Sequence, residues 1–323
     1  MWKIGNIKIK SHVVLRPMAG ITFSSYRNCM KPFGVGLSVT EMVSDCGLMY
    51  ENKTTLDYIK TSVSDRPVAI QLFGSSSDTI CKAMDIVLKE NPNFDFFDIN
   101  LGCPVPKVTK TGAGSSLLKD TQKLEEMMTE IVKHSPKPVT AKIRLGWSDK
   151  SINVLENVRA LEKAGVAAIA IHARTTVQMY GGKARSEEIK KLGDSMSIPL
   201  IISGDIFSID DAIRAIEITK ATAVMVARGG VGNPNLVRQI NHYFETGERL
   251  PGVNLNQNIK YLLELTDMMI EEKGEHKAMM MLRGIGVKFF NSYPNTKEIK
   301  AKLSQNLFTK DDLLKILKEF NLL

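Results

Sequence analysis

FDFFDINLGCPVPKVTKTGAGSSLLKD, residues 94–120, joins an apolar run to a polar, glycine-rich loop. The run FFDINLG (96–102) has the length and nearly continuous apolar character of a parallel strand covered on both faces. Just past its end come Gly102, a lone thiol at Cys103 and Pro104, then two lysines and GAGS. A cysteine that served only packing would sit inside the run; this one sits at its mouth. If the layout recurs along the chain, the run is one strand of a barrel and its mouth is one corner of a site.

It does recur. VVLRPMA (13–19), GLSVTEMV (36–43), VAIQLFG (68–74), VTAKIRL (139–145), AAIAIHAR (167–174), PLIISGDI (199–206) and AVMVARG (223–229) read as strands of the same kind. Helix-like segments lie between them, among them 75–90, 121–134 and 208–220, the last opening on Ser208 as N-cap with Asp210 and Asp211 in its first turn. Eight strand–helix alternations predict an α/β fold, a (β/α)8 TIM barrel over residues 1–244, in preference to an open doubly wound sheet. From about residue 245 the rhythm gives way to helical patterns, predicting a C-terminal all-α helical domain over 245–323. Its segment 277–310 holds seven Lys/Arg (Lys277, Arg283, Lys288, Lys297, Lys300, Lys302, Lys310) against Glu298, interleaved with Phe289, Phe290, Tyr293 and Phe308. That pattern suits a solvated helical cap and an RNA-binding face equally well.

Composition bounds the rest. A chain of 323 residues, 43% hydrophobic and 24% charged, has the balance of a soluble globular protein. No apolar stretch reaches signal-peptide or membrane-spanning length, so cytoplasmic residence without a membrane partner is expected. Four cysteines without a C-x-x-C pair argue against a zinc site and a disulfide framework, so no metal is expected. The formal charge of +8 suits a polyanionic partner.

Barrel enzymes carry their chemistry at the C-terminal ends of the strands. Here those ends hold Pro17, Met18, Ala19 and Gly20, then Gln71, Asn100 and Cys103, Lys142 and Arg144, His172 and Arg174, Ser203, Gly204 and Asp205, and Ala227, Arg228 and two glycines. One polar residue on an apolar strand is commonly a satisfied core oddity; a polar group on strand after strand is not. The loops after strands 7 and 8 often bind phosphate through backbone N–H groups. SGD and ARGG fit that use, pointing to a phosphate-bearing cofactor. A flavin mononucleotide (FMN) would also employ Lys142 against negative charge on its ring and Gln71 at its pyrimidine edge. No Rossmann-type glycine turn follows the first strand, which argues against a tightly bound NAD domain.

RPMAGIT, TEMVS, QLFG, DINLGCPVPKVTKTGAGSSLL, KIRLGW, IHARTTVQMYGG, SGDI and ARGGVGNP, in this order, resemble the bacterial tRNA-dihydrouridine synthases. The resemblance runs through the barrel, and the helical tail matches in character. It implies an FMN-containing barrel with a helical tRNA-binding domain, reducing selected uridines with NADPH as electron source. Reduction of the uracil 5,6 double bond needs a hydride at carbon 6 and a proton at carbon 5. An ordinary thiol is mostly protonated at neutral pH, and the resemblance makes Cys103 that proton donor.

By the same carry-over, Pro17, Met18, Ala19 and Gln71 contact the flavin, and Lys142 and His172 lie against its ring or phosphate side. Ser203, Gly204, Asp205, Ala227 and Arg228 hold the phosphate. Asn100 orients ligand near Cys103, and Lys107 and Arg174 contact RNA or uracil. On the tail, Arg283, Lys297, Lys300 and Lys302 are candidate tRNA contacts, and the chain is expected to be a monomer. The other cysteines read as packing. Departures from the family pattern are Phe23 for Asp, Ser203 for Asn, Ala227 for Gly, and KARS (183–186) for an Ala-Asp-Trp element. Two readings compete: an FMN barrel reducing a free pyrimidine, and an RNA-binding protein without catalysis. Ribosomal RNA remains open as substrate within the enzyme reading.

Overall fold

The computed structural model describes residues 1–323. A short antiparallel hairpin, β1 (Trp2–Ile4) and β2 (Ile7–Ile9), comes first. Parallel strands follow: β3 (Val13–Leu15), β4 (Leu37–Val39), β5 (Val43–Ser44), β6 (Val68–Phe73), β7 (Phe96–Asn100), β8 (Val139–Arg144), β9 (Ala168–His172), β10 (Leu200–Ser203) and β11 (Ala223–Val226). β5 resumes the second barrel strand and pairs with β6, as β4 does. Because β4 pairs with both β3 and β6, the sheet closes into an eight-stranded (β/α)8 barrel. All eight expected runs contain a strand.

Alternation sorts the strand residues. Val14, Ala69, Phe96, Ala168, Ala170, Ile201, Ala223 and Met225 fill the interior. Leu15, Ile70, Phe97, Ile99, Ile143, Ile171, Ile202 and Val224 face the helices in the outer core. The hairpin, which has no counterpart among the expected strands, packs Trp2, Ile4 and Ile9 into the interior cluster and so plugs one barrel end. Continued toward the C-terminal strand ends, the same alternation turns Arg16, Gln71, Asn100, Lys142, His172 and Ser203 to the axis. Register sets them side by side: Gln71 lies across from Asp98, Asn100 from Lys142, Arg144 from His172, and His172 from Ser203.

Helix caps fall where the sequence puts them. Ser208 accepts from the Asp211 N–H at the start of Ile209–Thr219, and Asp120 caps Thr121–His134. The eighth barrel helix, Pro234–Thr246, runs past the expected division at 244/245. The helical part therefore begins at Leu255, after a connection of residues 247–254. It comprises Leu255–Lys273, Glu275–Ile285, Lys297–Gln305 and Lys310–Glu319.

The two parts share one hydrophobic cluster of 71 buried residues. Phe33 of the barrel meets Tyr261 edge-on at 4.8 Å. Asn258 Nδ2 donates both to the Gly232 carbonyl (2.9 Å) and to the Phe289 carbonyl (2.7 Å). Gly232 has φ +73°, and a Cβ there would stand 2.3 Å from the Lys288 carbonyl carbon, so only glycine allows the backbones to meet. Phe23 precedes helix Ser24–Met30 and offers no cap; the Ser25 N–H is taken instead by Glu272 Oε2, 2.6 Å away on the helical part. Lys273 stands over the Phe23 ring. This departure from the family pattern thus lies in the junction between the parts.

Candidate active site

Cys103 is 8% exposed and borders a cavity of about 470 Å³ at the C-terminal end of the barrel. Its loop is held from three sides. Asn100 Oδ1 accepts from the backbone N–H of Cys103 (2.8 Å) and of Gly102 (3.1 Å). Ser115 donates to the Cys103 carbonyl from its N–H (3.1 Å) and its hydroxyl (2.9 Å). Arg144 Nε donates to the Gly102 carbonyl (2.8 Å). Gly114, at φ +61°, lets its backbone lie against Cys103, where a Cβ would meet the Cys103 oxygen at 2.9 Å. The GAGS segment therefore positions the thiol.

Behind Asn100 runs a buried polar chain. Asn100 Nδ2 donates to Gln71 Oε1 (2.8 Å), and Gln71 Nε2 donates to Asp98 (2.6 Å). Thr140 donates to the other Asp98 oxygen (2.6 Å). Burial pushes the Asp98 carboxyl up, while the Gln71 and Thr140 bonds pull it down. The chain fixes which way both amides point.

The same cavity is bordered by Pro17, Met18, Ala19, Gln71, Lys142 and Arg228, so most of the expected flavin contacts come together around Cys103. His172, Ser203, Gly204, Asp205 and Ala227 line a narrow crevice beside it. Arg16 and Arg228 border both spaces. Burial, reinforced by Arg16 and Arg144, holds the Lys142 ammonium well below the ordinary lysine range. Burial and then Lys142, Arg16 and Arg144 keep the His172 imidazole neutral. Burial pushes the Cys103 thiol up, with the Val105 N–H, Arg144, Lys142 and Arg16 pulling it part of the way back. Four buried polar atoms here lack a protein partner: Arg16 Nε, Arg144 Nη2, His172 Nδ1 and Ser203 Oγ.

Some expected roles are corrected. Arg174, expected to contact RNA or uracil, has its partners inside the protein. It is 1% exposed and spends its guanidinium on the Gly181 and Gly182 carbonyls and on Asp205, at 2.7 Å. The Asp205 carboxylate receives Arg174, Arg228 and the Ala184 N–H, so it organises cations and would itself repel a phosphate. Cys46 is exposed rather than packed. With Lys107, Tyr58 and Glu41 it lines a second cavity of about 570 Å³, which shares Ala19 and Met42 with the first. In the tail, Lys302 is paired with Glu319 and Glu298, and Arg283 bonds the Leu307 carbonyl under Phe308. Lys297 is exposed, as are Lys277 and Lys288, whereas Lys300 is half-buried. Of the KARS segment, Arg185 pairs with Asp149 at 2.7 Å.

Sequence reading gave no role to Arg16, Asp98, Thr140, Arg144 or Tyr180. The signal was their strand position: each of the first four falls on an axis-facing step. No group of three or more His, Cys, Asp or Glu side chains could hold a metal ion, and no helix is long and apolar enough to cross a membrane.

A (β/α)8 barrel with a buried thiol beside a cavity at its strand ends, bordered by Arg16, Lys142 and Arg228, has the layout of a barrel enzyme. Known proteins narrow the class. The family described as dihydrouridine synthase (Dus) matches residues 13–321, and the chain belongs to it. It is 32% identical over 305 residues to the probable tRNA-dihydrouridine synthase of Rickettsia bellii, covering 94% of this chain and 93% of that protein. It is also 32% identical over 304 residues to tRNA-dihydrouridine synthase B of Pseudomonas aeruginosa, covering 94% and 91%. Among solved structures, histamine dehydrogenase from Rhizobium sp. 4-9 shares the fold with TM-score 0.55 and 12% identity, over 80% of this chain and 50% of that one.

Proposed function

We propose that this protein is a tRNA-dihydrouridine synthase that holds flavin mononucleotide in the cavity beside Cys103 and draws electrons from NADPH. One observation carries the reading: a thiol kept protonated by burial borders the cavity in which the unpaired cations and polar atoms converge. The residues fit such a cofactor. Arg16 Nε, Arg144 Nη2, His172 Nδ1 and Ser203 Oγ are left for a ligand to satisfy, and the basic side chains Arg16, Lys142 and Arg228 border the two spaces, where Asp205, already paired with Arg174 and Arg228, is the carboxylate. Pro17, Met18, Ala19, Gln71, Lys142 and His172 would border the ring and sugar. The backbone of Ser203, Gly204, Asp205 and Ala227, with Arg228, would hold the phosphate. When bound, the cofactor supplies the hydride that carbon 6 of uracil receives.

The protein's own groups do the rest. Asn100, Ser115 and Arg144 fix the Cys103 loop, so the thiol meets one face of an entering base. Cys103 donates its proton to carbon 5. The thiolate left behind lies within the field of Arg144, Lys142 and Arg16, which lowers the cost of forming it. A proton from solvent restores it. An anionic ligand in the cavity would raise the Lys142 ammonium toward its ordinary range, coupling that charge to occupancy. A uridine inside a folded tRNA must be flipped out to reach this depth. Lys107 beside the second cavity, and Lys277, Lys288 and Lys297 on the tail, would take the backbone phosphates.

Purified protein incubated with NADPH and an unmodified tRNA transcript should yield dihydrouridine, and heat-released cofactor should be flavin mononucleotide. A protein that neither carries nor takes up the flavin would refute the cofactor assignment. Absence of dihydrouridine with a full set of transcripts would refute the substrate.

A further inference from the structure

Arg16 follows Val14 by one alternation step, so its side chain enters the barrel from the same face as the interior cluster. Its backbone N–H donates to the Val226 carbonyl at 2.9 Å, fastening it beside the strand that leads to Ala227 and Arg228. With Arg228 it borders both the Cys103 cavity and the crevice of Ser203, Gly204 and Asp205. Arg228 has a carboxylate, Asp205, at 3.3 Å, which also receives Arg174. Arg16 has none: its Nε is buried without a partner, and its neighbours are Tyr180, 5.9 Å from ring centre to guanidinium carbon, and other cations. Burial and Arg228 both work against its charge, Tyr180 for it.

A protein gains nothing in stability from such a group, since an uncompensated cation in a half-buried site is costly. A ligand anion is what would compensate it. We infer that Arg16 binds the phosphate of flavin mononucleotide, adding a side-chain cation on the first-strand side of the crevice to the backbone groups and Arg228 on the other. The inference rests on the flavin reading above. Planar, multi-donor guanidinium is suited to phosphate, and the crevice that Arg16 shares with Arg228 and the Ser203–Gly204 backbone points to the phosphoryl end of the ligand.

The test titrates cofactor-stripped protein with FMN and with riboflavin, which lacks the phosphate, following flavin fluorescence. Wild type, Arg16→Met and Arg16→Lys are compared. Arg16→Met should weaken FMN binding by about 10–100-fold, the loss expected of a charge-assisted hydrogen bond, while riboflavin binding changes little. Arg16→Lys, which keeps charge without the fork and guards against a folding defect in the methionine variant, should fall between. Thermal unfolding without flavin should be unchanged or raised in Arg16→Met, because a repelled cation is removed; a structural residue would lower it. Equal FMN binding by wild type and both variants overturns the inference. Equal losses for FMN and riboflavin also overturn it, placing Arg16 at the ring. Failure of the wild type to bind FMN overturns the cofactor reading itself, an outcome distinct from these.

Discussion

Replacing Asn100 with Ala tests how the thiol is mounted. The side chain's oxygen is the acceptor for the Gly102 and Cys103 backbone N–H groups, and its nitrogen donates to Gln71. All three partners are buried. An orphaned buried N–H costs about 1–3 kcal/mol, so two cost about 2–6 kcal/mol. Because the loop borders a cavity that admits water, the lower part of that range, about 2–3 kcal/mol, is expected. Urea unfolding of the flavin-free protein measures it directly. Mobility of the loop is read separately by alkylation of Cys103 in a background where the exposed Cys46 is Ser. With the latch gone, the 8%-exposed thiol should react several-fold faster. Asn100→Asp retains the acceptor for both amides, so it should keep the slow alkylation while losing the bond to Gln71. Should Asn100→Ala unfold within about 0.5 kcal/mol of wild type and alkylate at the same rate, Asn100 is no latch.

Cys103→Ala should keep flavin content and NADPH consumption without tRNA, while single-turnover dihydrouridine formation slows by about 10²–10⁴-fold; a wild-type rate would mean another acid. Burial should also shift the alkylation profile of Cys103 to higher pH than that of a free cysteine, and coincident profiles would contradict the raised thiol. Changing Lys277, Lys288 and Lys297 to Glu should weaken tRNA binding and flatten its logarithmic salt dependence by about 1 for each phosphate no longer engaged. Lys302→Glu, which breaks the pair with Glu319, should instead show mainly as lower stability. Equal salt slopes in triple variant and wild type would move the docking face elsewhere. Lys31 is lowered by burial from 10.5 to about 8, so between those values the unfolded chain holds more protons and this residue makes stability rise with pH. Lys31→Met should remove that rise and gain up to about 3 kcal/mol near neutrality, less the bond to the Pro67 carbonyl. A variant-minus-wild-type difference that is flat from pH ~7 to ~10 would refute it.

The barrel was readable because parallel strands covered on both faces are nearly unbroken apolar runs, and punctuation between them is strong. The β1–β2 hairpin was not, since three-residue strands around Gly5 and Asn6 leave no run to notice. Helix Lys297–Gln305 leaves a similarly weak signal: only Ile299 and Leu303 are buried along it, amid lysines. At the site, residue types at strand ends were informative, and Cys103, Gln71, Lys142 and the phosphate-type loops do converge. Pairing was not informative. Whether Arg174 faces solvent or Asp205, and whether Lys302 is free or held by Glu319, depends on partners 31 and 17 residues apart in the chain. One-sequence patterns carry no register across such spans. Tyr180 stayed unseen because it reaches the cavity from a loop, without periodicity to place it.

Gly232, Asn258 and Glu272 make the meeting of barrel and helices a weld of backbone contact and hydrogen bonds. Whatever sits on the exposed lysines of the helical part is therefore held at a set distance and angle from Cys103. In an enzyme that acts on one base of a large folded molecule, such a frame works as a caliper. With tRNA docked on those lysines as proposed, its opening, fixed by the junction, would decide which position along the substrate can reach the thiol, and a change of target would come from resetting the weld and not from recutting the pocket.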